Sequence, residues 1–179
     1  MSSHDISIST PYALAVHPAA TVGAIVEAVN QLVTNESRRF LPDASTSVFL
    51  ASEAADVEIF SDDGDNHITI AQGRLSFSVN GYGPGHGVAP DWLHDMVDAL
   101  APLLLSGGVV EMVDHDISAS NKDESVAPFF IGTTRAQQRA AQLAYGLDLA
   151  QEHVTAAVGA STWAEMVSLA RQSLVESAE

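Results

Sequence analysis

The chain has 179 residues, 46% hydrophobic and 17% charged, so it can bury a core and is not a disordered tail. Its 23 acidic residues against seven lysines and arginines give a net charge of −16, which excludes a free-standing binder of duplex DNA or of anionic membranes. Cysteine is absent, which excludes disulfides, thiolate zinc sites and thiol catalysis.

Neither the start of the chain nor its apolar runs predict secretion or membrane insertion. Residues 1–9 have no basic region of the kind that opens a secretory signal. The longest apolar run, 99–110, is shorter than the roughly 18 residues of a membrane span and holds a proline and two glycines. We therefore expect a cytoplasmic protein.

The first part of the chain predicts a strand, a helix and then several short strands. The alternation of apolar and polar residues at 6–9 is typical of a strand, which 12–16 extends beyond a proline. Thr21 is predicted to cap a helix, because apolar residues recur after it at three- and four-residue spacing as far as Asn35. The short strands are predicted at 47–51, 57–60, 67–71 and 75–79, the last two forming a hairpin around Gln72–Arg74.

After a glycine-rich loop at 80–87, the pattern changes to that of a buried helix. Pro90 is predicted to open this helix, which runs to Leu104 and stops before two glycines. Two further strands follow at 109–113 and 127–131. The order of elements predicts an α+β fold, in which two helices cover an antiparallel sheet, and a ferredoxin-like topology is one arrangement that satisfies it.

The distribution of charge divides the chain into two modules. Residues 1–131 carry 18 acids and four bases, a balance of −14, whereas residues 132–179 carry five acids and three bases, a balance of −2. We therefore predict an acidic α+β domain at 1–131 and a helical module at 132–179.

The C-terminal module is predicted to contain three short alanine-rich helices, at 135–145, 149–158 and 163–175. Gly146 and Gly159 are predicted to separate them, and Ser161 or Thr162 to cap the last. Such short helices cannot hide all their large apolar side chains by themselves. These side chains must therefore cover the sheet, pack among themselves or meet a second copy of the chain. Trp163 is expected to be a buried core residue that closes the hairpin.

Acidic clusters are the strongest functional feature of the sequence. Six acids lie within residues 53–65 with no base among them, and further acids fall at helical spacing at 91–98 and around 111–124. Carboxylates two apart on a strand stand about 6.6 Å apart, and those four apart on a helix rise about 6 Å, so a row of them can imitate backbone phosphates. The candidate contacts with a basic partner are Asp56, Glu58, Asp62, Asp63, Asp65, Asp114 and Asp116. The alternative is an acidic surface that serves solubility alone.

The other groups of polar residues give weaker indications of a metal, phosphate or catalytic site. His94 and Asp98 lie at i and i+4, while the run Asp114–Asp116 offers ligands that point to opposite faces of a strand. His67 and His86 stand apart from both. The glycine loop lacks the lysine of a phosphate-binding loop, and no nucleophile motif is present. We therefore expect no catalytic residue, no metal and no cofactor.

Two resemblances accompany these patterns. The segment from Gly146 through Gly159 to Met166, with its tryptophan at the start of the last helix, is similar to small helical hairpins of uncharacterised bacterial and mobile-element proteins. In charge and size, the acidic portion resembles the anti-CRISPR and anti-restriction inhibitors encoded by phages and plasmids.

The functional prediction is a non-enzymatic acidic binding protein that mimics nucleic acid and inhibits a host defence protein or another nucleic-acid-binding protein. Its partner would be a basic protein, with no direct contact to nucleic acid or membrane. One alternative is a small metal-dependent enzyme that uses carboxylate and histidine ligands. The other is a structural protein that forms homo-oligomers through its C-terminal helices.

Overall fold

The computed structural model describes residues 4–33, 40, 56–61, 64–83, 91–115 and 125–176. Within these ranges seven strands form one antiparallel sheet, accompanied by four α-helices. The strands are β1 (His4–Ser9), β2 (Leu14–Ala15), β3 (Val57–Phe60), β4 (His67–Ala71), β5 (Arg74–Gly83), β6 (Gly108–His115) and β7 (Ser125–Ile131). The helices are α1 (Val22–Asn30), α2 (Asp91–Leu100), α3 (Arg135–Val158) and α4 (Ala160–Glu176), with a 3₁₀ turn at Ala101–Leu103.

The sheet holds its first strand in the interior. The strand order is β3-β4-β5-β1-β6-β7, and the short β2 pairs with the start of β5. In this register Ile8 of β1 lies opposite Val79 on one side and Met112 on the other. All three are at most 2% exposed, so an apolar row crosses the centre of the sheet.

Two helices cover the face of the sheet to which Ile8 points. α1 begins after Thr21, whose hydroxyl accepts a hydrogen bond from the Ala24 N–H, as predicted for a helix cap. Val29 of α1 and Met96 of α2 are fully buried in the same core cluster as Ile8. The predicted α+β class, with two helices over an antiparallel sheet, is therefore confirmed, while the ferredoxin-like topology stays an interpretation.

The end of α1 is fixed by a contact that the sequence pattern does not contain. The Asn30 side chain donates from Nδ2 to the Phe40 carbonyl at 3.0 Å, and its Oδ1 accepts from the Phe40 N–H at 2.9 Å. The Phe40 side chain is fully buried in the core. α1 ends at Asn30, short of the predicted Asn35, and this asparagine holds the returning chain against the core.

The central hairpin follows its prediction closely. Gln72 and Gly73 have φ values of 52° and 71°, so both residues of the two-residue turn adopt the left-handed region that a type I′ turn requires. Arg74 belongs to β5 and pairs with Ala71, rather than lying in the turn. Residues 80–83, predicted as loop, continue β5, while 84–87 and the predicted strand 47–51 lie outside the described residues.

α2 is shorter than the predicted helix that ends at Leu104. It stops at Leu100 and passes into the 3₁₀ turn, which contains Pro102. A proline has no N–H to donate and its ring clashes with the preceding turn, so the α-helix cannot continue through this position. Gly108, predicted to terminate the helix, is the first residue of β6.

The C-terminal module contains two helices instead of the three that were predicted. α3 passes through Gly146 without a break, since one glycine costs a helix only about 1 kcal/mol and a long helix tolerates it. Gly159, with φ of 83°, does end α3 as predicted. The Trp163 N–H donates to the Gly159 carbonyl, so Ser161 and Thr162 lie inside α4 and the predicted cap is wrong.

α3 packs on the sheet face opposite to α1 and α2. Val109 and Phe130, on β6 and β7, form a second apolar cluster with Ala141 and Tyr145 of α3. At the start of the helix, a side chain at Gly107 would overlap the Gln137 carbonyl, so only glycine permits this close approach. α4 packs along α3. β7 ends at Ile131, and the division of the chain into two modules at this point stays a prediction.

Candidate binding surfaces

Three of the predicted contact residues lie exposed along one edge of the sheet. Asp56 precedes β3, Glu58 lies on it and Asp65 follows it, and all three side chains are exposed. Asp56 Oδ1 accepts a hydrogen bond from the Gln72 N–H at 3.3 Å. We call Asp56, Glu58 and Asp65 the β3-edge acids. Asp62, Asp63 and Asp116 lie outside the described residues.

Asp114 is buried, which contradicts its prediction as a surface contact. Only 5% of this residue is exposed, and it lies opposite Ile6 on the helix-covered face of the sheet. Strand β6 alternates its side chains, so Asp114 shares a face with Met112 and Val110. The Asp114 side chain is therefore covered and is not presented to a partner protein.

The most regular row of carboxylates lies on α2. Asp91, Asp95 and Asp98 are exposed, whereas Leu93 and Met96 on the opposite side of the helix are fully buried. At 1.5 Å per residue, successive carboxylates of this row rise about 6 Å and about 4.5 Å along the axis. We call Asp91, Asp95 and Asp98 the α2 stripe; neither α1 nor α2 contains a lysine or arginine.

The histidines near these acids contact aromatic rings. The His94 ring stands edge-on to Phe129 with centroids 6.0 Å apart, and His67 lies 6.3 Å from Phe60. Across the described part of the chain, no three histidine or carboxylate side chains converge as metal ligands. The metal-dependent alternative therefore finds no ligand set in those residues.

One serine–histidine pair was not anticipated from the sequence. Ser7 Oγ lies 3.1 Å from His115 Nε2 on the face of the sheet that α1 and α2 leave uncovered. A serine nucleophile also needs free backbone N–H groups that can hold an oxyanion. Ser7 lies on β1, which pairs with strands on both sides and so engages its amides in the ladders. The pair is consistent with a cross-strand contact that stabilises the sheet.

Two tyrosine–carboxylate hydrogen bonds attach α3 to strand β6 and to the segment between β1 and β2. The Tyr145 hydroxyl donates to Glu111 Oε1 at 2.7 Å, and the Tyr12 hydroxyl donates to Asp148 Oδ2. Burial, and then the hydrogen bond to Glu111, raises the pKa of Tyr145 to about 12. The hydrogen bond to Asp148, and then burial, raises the pKa of Tyr12 to about 12. Both tyrosines therefore stay neutral donors at physiological pH.

The helical hairpin of α3 and α4 leaves large apolar side chains in solvent. The exposed fractions are 60% for Leu149, 41% for Val158, 46% for Met166 and 66% for Leu169. Trp163, predicted as buried core, is only half-buried and belongs to neither core cluster. Met166 and Leu169, three residues apart, share one side of α4, whereas Leu149 and Val158, nine residues apart, point to opposite sides of α3. We call these four exposed apolar residues the hairpin patch.

Comparison of the chain with protein-family models, with curated proteins and with solved structures finds no significant match. Among the described helices, none combines the length and the hydropathy that crossing a bilayer requires. The basis for a functional proposal is therefore the placement of charged and apolar side chains described above.

Proposed function

We propose that this protein is a non-enzymatic acidic binding protein that occupies the basic, nucleic-acid-binding surface of a partner protein. The α2 stripe supports this proposal best, because it holds three exposed carboxylates in one row on a helix whose opposite side is anchored in the core. The β3-edge acids supply a second, separate contact region. The resemblance in charge and size to phage and plasmid inhibitors extends the proposal to inhibition of a host defence protein.

The spacing of the stripe suits a protein groove that normally holds a nucleic-acid strand. Phosphates on one DNA strand rise about 3.4 Å per residue, and the path between them around the helix is longer than that rise. The carboxylates of the α2 stripe, with rises of about 4.5–6 Å, fall in a comparable range. Attraction between the stripe and a basic groove would steer association and would weaken with salt.

Neutralising the stripe is expected to weaken partner binding about tenfold, since three exposed charges that contribute about 0.5 kcal/mol each supply about 1.5 kcal/mol. The immobilised chain is used to capture proteins from a host lysate at low salt, and the captured protein is then purified. Its affinity for the wild-type chain is compared with that for D91N/D95N/D98N, and a 30-base-pair duplex is added as a competitor. We expect the duplex to displace the wild-type chain.

The matched control is D56N/E58Q/D65N, which also removes three negative charges, but from the β3-edge acids. We expect this variant to bind within about threefold of the wild type if the stripe is the main contact. Loss of binding in the control alone would move the contact to the β3 edge. Retention of binding by both triple variants, or failure of the duplex to compete, would contradict mimicry.

A second candidate function, self-assembly, is favoured by the hairpin patch. α3 and α4 pack on each other, yet the patch keeps 41–66% of each of its side chains exposed. Two such hairpins can bury the α4 side that carries Met166 and Leu169 against each other as a four-helix bundle. Residues 132–179, which carry the patch, have a net charge of only −2, so two acidic chains would repel each other least at this module.

We expect the wild-type chain to be a dimer in solution and M166Q/L169Q to be a monomer, because burial of the two side chains stabilises the contact by several kcal/mol. Light scattering coupled to size-exclusion chromatography measures the mass across a hundredfold range of concentration. L105Q, which changes a leucine that is 54% exposed outside the hairpin, serves as the control and should remain dimeric. A monomeric wild-type chain at every concentration would eliminate this candidate.

A further inference from the structure

A cleft between β7 and the first turns of α3 carries the opposite charge to the rest of the protein. Its volume is about 540 Å³, within the range of small-molecule sites. One wall consists of Arg135, Gln138, Arg139 and Gln142, which share one side of α3. Phe130 belongs to the other wall, on β7.

The two arginines are placed against the preferences of the helix that carries them. Arg135 and Arg139 are four residues apart, so two like charges lie one turn from each other on α3. Arg135 is also the first residue of the helix, where the macrodipole disfavours a cation. Among the described residues, neither guanidinium has an ion-pair partner. An anion bound in the cleft would reduce the repulsion between the two arginines and would offset the unfavourable interaction of Arg135 with the helix dipole.

The opposite wall restricts the kind of ligand. Among the described strands β7 is the last in the sheet, and Pro128 in its middle has no N–H, so it interrupts the donors that an added peptide strand would need. Phe130 is half-buried and stands edge-on to Tyr145, with centroids 6.0 Å apart. The cleft therefore offers guanidinium and amide donors on one side and an apolar, aromatic surface on the other.

We propose that this cleft binds an aryl phosphate monoester, with the phosphate between Arg135 and Arg139 and the ring against Phe130. A phosphate dianion has three terminal oxygens, enough to accept bonds from two guanidinium groups. Gln142 is placed to donate an amide hydrogen bond, while Gln138 Nε2 already donates to the Gly132 carbonyl. This site is independent of the proposed acidic contacts, since it uses none of their residues.

The test is a titration of the full-length chain, followed by NMR, with phenyl phosphate, inorganic phosphate and benzoate as separate probes. At 0.15 M salt, charges beyond about 8 Å are screened, so the distant carboxylates contribute little repulsion. Glu111, the cross-strand partner of Pro128, is a nearby carboxylate, and it accepts a hydrogen bond from the Tyr145 hydroxyl. We expect saturable shifts of the Arg135 and Arg139 Nε–H signals with phenyl phosphate. Inorganic phosphate should bind more weakly because it lacks the ring, and benzoate more weakly because it carries one charge.

R135Q/R139Q should lower the affinity for phenyl phosphate at least about tenfold, because both charge-assisted bonds are lost. R74Q, which removes an exposed arginine from β5, is the control and should bind like the wild type. The proposal is overturned if phenyl phosphate causes no saturable shift at the cleft, if R135Q/R139Q binds it as tightly as the wild type, or if benzoate is the strongest ligand.

Discussion

Replacing Phe40 by alanine is expected to lower the free energy of unfolding by about 3–5 kcal/mol. Phe40 is fully buried among the core side chains that α1 contributes. Its removal leaves a cavity in addition to the lost transfer free energy, since the surrounding helices and sheet relax only partly. Urea denaturation followed by circular dichroism measures the change.

The chain offers a matched control in Phe60, which is 59% exposed on β3. F60A makes the same chemical change without a buried cavity, so we expect it to cost less than about 1 kcal/mol. N30A should lower the free energy of unfolding by about 2–4 kcal/mol for a different reason, because the Phe40 N–H and carbonyl both lose a buried hydrogen-bond partner. Equal stability of F40A and F60A would contradict the assignment of Phe40 to the core.

Raising the pH from 10 to 12 is expected to remove about 1–2 kcal/mol of stability through Tyr145. The folded protein holds the pKa of this tyrosine at about 12, whereas the unfolded chain has the ordinary value of 10. The unfolded state therefore loses its proton first as the pH rises. The stabilisation is complete below pH 10 and disappears as the pH passes through 12.

The single lysine makes this titration unusually clean, since few other groups change charge in the same range. Tyr12 contributes in the same direction, but it is 42% exposed and its contribution is smaller. Y145F should be about 1–2 kcal/mol less stable than the wild type at pH 8, because Glu111 loses its donor. Its stability should then fall less between pH 10 and 12. Parallel pH profiles for the two proteins would contradict the role given to Tyr145.

The parts of the fold that the sequence predicts well are those with local causes. The period-two pattern at 67–79 and the turn at Gln72–Gly73 define a hairpin without help from distant residues. The threonine cap of α1 and the buried side of α2 likewise depend on neighbours within a few positions. These elements together were sufficient to predict the α+β class.

The features that the sequence pattern misses depend on distant partners or on competing local preferences. The side-chain amide of Asn30, the last residue of α1, pairs with the backbone of Phe40 ten residues later, which no periodicity reveals. Gly146 resembles a helix break, yet the packing of α3 outweighs its low helix propensity. A carboxylate side chain at residue 114 suggests a surface position, although the alternation along β6 places Asp114 with Met112 on the covered face.

The length of α3 has a consequence for how strongly a dimer joined through the hairpins would bind the proposed partner. The contacts of this helix with the sheet described above end at Asp148, and the ten residues that follow span about 15 Å. A dimer joined through the hairpins would therefore hold its two acidic domains apart, each with its own α2 stripe available. Such a molecule is bivalent, and a target with two basic sites at a matching distance would bind the second domain intramolecularly. Its apparent affinity would then exceed that of one stripe by about 10²–10⁴-fold without any new contact.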